Sequence, residues 1–357
     1  MKNLRRARAL ASALALATIA QTGTASAAEV SPAVVKDWCI VDPARPAARS
    51  ILESASRHRD DHPHALAHVH TEGTLPHQGI RDQSLEAEAD WQIALRAAMA
   101  WQIGHDPRYL RQVDAYLLAW AGTYEPDFNP IDETNLDALI GAYALTRHAL
   151  QPTTRAAMQA LLRKLGEGYV ERMHALSRSP RGGEINNWQS HRIKLVALAA
   201  AALGDGGMLQ EATLLFQHQV AGNIHADGSV YDFFERDALH YVVYDLQPLV
   251  QAALAVKPYA SVDDWLHYEA PTGASLAKAL DWLRPYAQGS RSHEEFVHSK
   301  VKFDAARAQA GESGFSGAWD PQTSIALYWL AARLDPRYLP VAKKLSTQPP
   351  DWIGACR

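Results

Sequence analysis

From Leu85 onward, apolar residues recur mostly three or four positions apart, in stretches such as "LEAEADWQIALRAAMAWQIG", "RYLRQVDAYLLAWAG" and "TNLDALIGAYALTRHAL". That period puts them on one face of an α-helix, whereas the two-residue alternation of half-buried strands is scarce. The chain is therefore expected to be all-α. Polar and Gly/Pro punctuation separates the stretches at "GHDP" (104–107), "EPDFNPID" (125–132), "LQPTT" (150–154), "RSPRGGE" (178–184) and "LGDGG" (203–207), so helices of ordinary length alternate with turns. The run "DPRYL" occurs twice, at Asp106 and at Asp335, each time after an apolar helical stretch. It predicts a shared way of turning, in which the Asp caps the next helix and the Pro occupies its first turn. Repeated helical hairpins without a low-complexity linker predict one domain over residues 29–357. An α/α toroid of antiparallel hairpins gives this layout. A stacked solenoid would too, but no long fixed period marks one.

The first residues follow another pattern. A basic start (Lys2, Arg5, Arg6, Arg8), an apolar run from Leu10 to Ala20 and the small residues "ASAA" predict a secretory leader, residues 1–28, cut after Ala27 or Ala28. The run is too short for a comfortable membrane span, and no later run reaches the roughly 20 apolar residues that a span needs. A periplasmic or secreted protein with no membrane partner is expected. The full chain of 357 residues carries a formal charge of −4, and losing the four basic leader residues makes it more acidic still. Such a chain lacks the basic face that nucleic acid requires. Its two cysteines, Cys39 and Cys356, stand near the two ends of the mature chain, and in an oxidising compartment they are free to pair and clasp the termini.

Two segments concentrate groups that hold or move protons. Read as one helix, "ERDALHYVVYDLQPLVQAALA" puts Arg236, His240 and Tyr244 four residues apart on a common face, with neighbouring Cβ atoms roughly 6 Å apart. The bland alternative is a core helix whose polar groups are merely satisfied. In "EINNWQSHRIKLVALAAAALGD", Asn186, Asn187, Trp188, His191 and Arg192 crowd the opening turns of a helix whose remainder is core. One asparagine suffices as a cap. The others sit where backbone N–H groups and the helix dipole attract carboxylates. Two further stretches, "HVHTEGTLPHQGIRDQS" with His70 and Glu72 and "HEEFVHSKVKFDAARAQAG" with Lys300, are loop-like or only partly helical. Sixteen histidines raise the question of a metal. No HExxH occurs, however, and pairs such as His68/His70 lack a supporting carboxylate pattern, so neither metal nor cofactor is expected. GxSxG, P-loop and GxGxxG motifs are also missing, which removes serine-hydrolase and nucleotide readings.

"NNWQSHR", followed some fifty residues later by "DGSVYDFFERDALHYVVYDLQPL", resembles the alginate lyase superfamily of α/α-toroid polysaccharide lyases. In polysaccharide lyase family five, a related "ALHY" segment ending in "LQPL" carries the catalytic tyrosine, and the match selects Tyr244 rather than Tyr241. Trp188 stands where that family has a histidine directly after the asparagines, and Asp237 where it has an arginine, Arg236 lying one residue earlier. Both departures point to the related family thirty-eight, which acts on alginate or glucuronan, and to a histidine drawn from elsewhere: His240, with His191 in reserve. The resemblance implies β-elimination in a polyanionic uronic-acid polysaccharide. Tyr244 would be base and acid, Asn187 and Arg236 (or Arg192) would neutralise the uronate carboxylate, and His240 would polarise the substrate or assist as base. Trp188 would stack on a sugar, with Asn186, His191, Arg192, His70, Glu72 and Lys300 as further substrate-binding candidates. Lys194, Lys300, Lys302 and Arg307 are expected to supply a positive field at the cleft, and a monomer is expected. Two other classes compete. A glycoside hydrolase would need a carboxylate pair drawn from Glu72, Glu133, Asp227 and Glu235, which no spacing singles out; a non-catalytic secreted carbohydrate-binding protein would need none.

Overall fold

Helix boundaries fall where the punctuation predicts them. The computed structural model describes residues 37–177, 185–259 and 264–357, so the expected leader and the "RSPRGGE" turn lie outside the described residues. The helices run in order α1 (Ala47–Arg57), α2 (Arg81–Gly104), α3 (Pro107–Thr123), α4 (Leu136–Thr146), α5 (Pro152–Ser177), α6 (Asn187–Leu203) and α7 (Gly206–Asn223). They continue with α8 (Tyr231–Arg236), α9 (Leu239–Val256), α10 (Leu276–Ala287), α11 (Lys302–Gln309), α12 (Ile325–Leu334), α13 (Leu339–Leu345) and α14 (Asp351–Gly354). Both "DPRYL" copies turn as expected. Asp106 accepts the Arg108 N–H to open α3, and Asp335 accepts the Arg337 N–H to open a short 3₁₀ turn before α13, with Pro in the first turn each time. At "LGDGG", Gly204 adopts φ 69° to end α6, and the Asp205 side chain caps α7.

Among the described residues there is no strand beyond isolated bridges. Helices α2, α4, α6, α9 and α12 pack in succession as an inner layer, and α3, α5, α7, α10 and α13 pack outside them. Composition explains the layering. In α6, Ile193, Leu195, Val196, Ala197, Ala199 and Ala200 are all buried, so beyond its polar opening turns and Lys194 the helix is apolar on nearly every side, as one packed on several sides must be. Alanine dominates here because small side chains let neighbouring helices approach. The fold is an all-α α/α toroid of helical hairpins. Its inner helices enclose a cavity of about 240 Å³, with Trp38, Cys39 and Trp352 in its wall.

Loop 125–135, which leads into α4, is held from below. Phe128 takes φ 62°, and its ring packs edge-on to Tyr169 at 5.6 Å. A Cβ at Gly168 would come within 2.2 Å of that ring, so only glycine admits it. Beneath the loop, the buried Glu133 carboxylate accepts the Tyr124 hydroxyl at 2.7 Å, the Tyr169 hydroxyl and the Asp127 N–H. Burial pushes Glu133 up to about 7, and the two tyrosine hydrogen bonds oppose it.

Cys39 and Cys356 are disulfide-bonded, with Cα atoms 4.9 Å apart. Around the bond, Asp42 N–H donates to the Ala355 carbonyl at 2.8 Å and Arg357 N–H to the Ile40 carbonyl at 2.9 Å, while Trp38 meets Trp352 edge-on at 6.3 Å. The link joins positions 317 residues apart and so restricts the unfolded chain strongly. Replacing both cysteines by serine should lower stability by about 2–4 kcal/mol, read as a lower midpoint in urea unfolding. An unchanged midpoint would mean that the backbone pairing holds the termini without the covalent bond.

Candidate active site

The segment read as one helix from Glu235 onward is two. Helix α8 ends at Arg236, Asp237 takes the left-handed conformation (φ 48°, ψ 50°), Ala238 is extended, and α9 begins at Leu239. The cause lies outside the segment. The Glu295 carboxylate accepts the Leu239 N–H at 2.7 Å and the His240 N–H at 3.0 Å, capping α9 where a continuous helix would have used those donors internally. Phe296 N–H and His293 Nε2 both meet the Asp237 carbonyl, at 2.8 and 2.9 Å. Arg236 is therefore not one turn before His240 on a shared face. Its guanidinium pairs with Asp304, stands 4.0 Å from Asp232 and covers the Tyr241 ring at 3.9 Å.

His240 and Tyr244 do share a face of α9, with ring centroids 6.4 Å apart. Between Tyr241 and Leu246, only Tyr244 is not buried. Burial first, then Tyr241, Glu88 and Asp132, push its phenol above the ordinary tyrosine value, and Arg307 is the cation that opposes them. Arg307, on α11, lies over Phe315 at 4.3 Å, pairs with Glu312 at 3.1 Å and reaches the Tyr241 hydroxyl at 3.4 Å. His240 is pushed down to about 4 by burial and by the charges of Arg307 and Arg236, so it is neutral at ordinary pH.

The ring nearest Tyr244 is His191, with centroids 4.3 Å apart. It is buried, and burial with the Lys194 charge holds it well below the usual histidine value. Lys194 was expected in the cleft field. Instead it is buried, its ammonium donating to the Thr134 carbonyl (2.7 Å), Thr134 Oγ1 (2.9 Å) and Asp137 (3.0 Å), which uses all three hydrogens. Because Thr134 Oγ1 accepts from Lys194, its own hydrogen is left for His191 Nδ1, 2.6 Å away. Nδ1 then accepts and Nε2 carries the proton. Pro248 leaves the Tyr244 carbonyl without its helical donor, and the Tyr244 backbone acts on the His191 ring.

The other sequence candidates divide. Asn186 is the N-cap of α6, its side chain accepting the Trp188 N–H. Asn187 is buried, donating its N–H at 2.6 Å and its amide at 2.9 Å to Asp232. Trp188 is partly exposed, while Arg192 is buried, bonded to Gln189 and 5.8 Å from the Trp188 ring. His70 is half-exposed and bound through Nδ1 to Asp132 at 2.9 Å, which raises its pKa. Asp132 also accepts the Thr71 and Glu72 N–H groups at 2.7 Å each and so fixes this loop. Lys300 is exposed and paired with Glu235. Three of the four hydrolase carboxylates are engaged elsewhere: Glu133 under its loop, Asp227 in a turn with Ser229, and Glu235 on Lys300; Glu72 lies in the loop fixed by Asp132 and is not brought together with them. Thr134, Asp232, Glu295 and Glu88 were missed. Glu88 is buried, pushed up to about 7 by burial, and accepts from Asn135. The one sequence signal was the "DET" run at 132–134, polar residues directly before an apolar helix. Among the described residues no His, Cys, Asp or Glu cluster could hold a metal, and no helix is long and apolar enough to cross a membrane.

A family profile for alginate lyase matches residues 40–293. Among solved structures, an alginate lyase from Bacteroides ovatus matches with a TM-score of 0.58 at 14% identity, over 85% of this chain and 90% of that one. Alginate lyase A1-III from Sphingomonas species A1 matches at 0.52 and 17% identity, over 72% and 80% of the two chains. A variant of that lyase complexed with a tetrasaccharide matches at 0.53 and 17%, with the same coverage. No curated protein matches significantly.

The site predicts two neutral histidines. Imidazole nitrogen NMR should show His191 protonated on Nε2 and uncharged at neutral pH, with His240 titrating only near 4. Since an unfolded histidine binds its proton near 6.5, His240 stabilises the fold fully above that pH and loses its contribution as pH falls toward 4. Either ring titrating at 6.5 would contradict the burial described.

Proposed function

The chain belongs to the alginate lyase family, and from that premise we propose that it cleaves uronic-acid polymers, polymannuronate or glucuronan, by β-elimination. The observation that carries the proposal is Tyr244: a partly buried phenol on a buried helix, its ring tilted against a neutral, oriented His191 and subject to the charge of Arg307. The C5–H bond breaks toward the phenolate oxygen, its electrons form the C4–C5 double bond, and the C4 oxygen leaves. In mannuronate and glucuronate, the C5 proton and the C4 oxygen lie on the same face, so the phenol can return the proton to the departing oxygen. The second hydrogen of the Asn187 amide, with Arg307, is the candidate to stabilise charge developing on the carboxylate. Arg236, bound to Asp304, supports the Tyr241 side of the pocket. His240, neutral beside the phenol, assists the proton transfer, and Trp188, His70 and Lys300 line the path of the polymer.

The same reading takes the chain as one exported, monomeric catalytic domain without cofactor. The leader pattern supports export, as does the disulfide, a bond typical of oxidising compartments.

Incubation with polymannuronate, polyguluronate, glucuronan and a neutral glucan tests the proposal. Ultraviolet absorbance of unsaturated uronate ends should rise with one or more uronans and not with the glucan. New reducing ends without that absorbance would establish a hydrolase, and neither signal would leave a binding protein. Tyr244→Phe should abolish elimination, a loss of at least ~10²-fold, while polymer binding persists. Tyr241→Phe, which removes only a long contact with Arg307, should cost far less; the reverse order would assign the chemistry to Tyr241. Because the phenol lies above its ordinary value, kcat should climb on the alkaline side as phenolate forms. A flat alkaline limb would point to an imidazole base instead.

A further inference from the structure

We infer that Asp232 is a positioning residue for this reaction, holding Asn187 in fixed register, and the inference rests on the functional reading above. Asp232 is 2% exposed, and both of its carboxylate oxygens are occupied by donors of Asn187. One carboxylate oxygen accepts the Asn187 backbone N–H at 2.6 Å and the other accepts the Asn187 side-chain amide at 2.9 Å. Two bonds to one residue fix both the start of α6 and the plane of the carboxamide. A flipped amide would set its oxygen against a carboxylate oxygen, so only one orientation is compatible with Asp232. One Nδ2 hydrogen is thereby committed, and the direction of the other hydrogen and of Oδ1 is set. Within α8 itself, Arg236, whose guanidinium is bonded to Asp304, brings its Nε to 4.0 Å from Asp232 and adds a favourable positive charge beside the pair.

The surroundings explain why this acid is not simply a packing residue. Asp245, on α9, faces the same interior and accepts the Ser190 hydroxyl at 2.6 Å. Burial, with Asp245 and Glu235 nearby, disfavours charge on Asp232, while the Asn187 donors and Arg236 favour it. An apolar residue of similar size would avoid this conflict, yet it would leave two buried donors of Asn187 unpartnered.

Asp232→Asn keeps the volume but turns an NH₂ toward the Asn187 donors. It should lower kcat roughly 10- to 100-fold, the scale of a small misplacement of a catalytic group, with KM changed little. The decisive readout is a double-mutant cycle. In an Asn187→Ala background, Asp232→Asn should cost no more than about threefold, because the group it positions is already gone. Losses that multiply in full would overturn the proposal, since a merely structural role acts whether or not Asn187 is present. If Asp232→Asn does not fold, Asp232→Glu, which keeps both acceptors and the charge, replaces it in the same cycle with the same criterion. Wild-type turnover in the assay keeps two failures apart. A wild type inactive on every uronan overturns the functional reading and this role with it, whereas an active wild type with fully multiplicative losses overturns this role alone.

Discussion

The geometry of the site depends on where α9 begins, and that is decided by Glu295. Its carboxylate occupies the two N–H groups that would otherwise continue a helix from α8. A negative group at a helix N-terminus is favourable, enough to keep a carboxylate there although burial pushes Glu295 up to about 7. Once α9 starts at Leu239, His240 and Tyr244 are a turn apart on one face and Arg236 is swung onto Tyr241 and Asp304. The left-handed Asp237 needed at the break costs only about 1–2 kcal/mol, and aspartate tolerates it better than most residues.

A second regularity follows. The acids nearest the site mostly hold N–H and O–H donors: Asp232 takes two from Asn187, Asp132 takes the His70–Glu72 loop, Glu133 takes two tyrosines, and Glu295 takes the start of α9. Each replaces lost water by several directed bonds, the condition under which buried charge is tolerable. Much of the negative charge is thus turned inward as scaffold, while Arg307 stays partly exposed and His70 and Lys300 exposed.

Helical class, turn positions, the Asp–Pro turns and the cysteine pairing were legible because each rests on local rules of period, capping and compartment. Tyr244 and the polar opening of α6 were legible through their motifs. The break before α9 was not: "ERDALHY" contains no helix breaker, and the residue that ends the helix lies 55 or more positions away. Lys194 misled for a related reason. A lysine next to a candidate site reads as field charge until Asp137, on α4, and Thr134, in the loop before it, are seen to absorb it. The partners that tune a site are long-range in sequence, and periodicity carries no signal for them.

The relay from Lys194 through Thr134 to His191 shows what such partners add. A buried ammonium is costly unless its three hydrogens are used, and here they are. Satisfying them orients the Thr134 hydroxyl toward His191 Nδ1, which settles the tautomer and holds the ring against Tyr244 without any charge on the imidazole. Because Pro248 has freed the Tyr244 carbonyl, the same ring also faces a backbone acceptor on the helix that carries the phenol. Three polar residues that a core would ordinarily exclude thus convert a buried charge into a fixed orientation of the ring beside Tyr244.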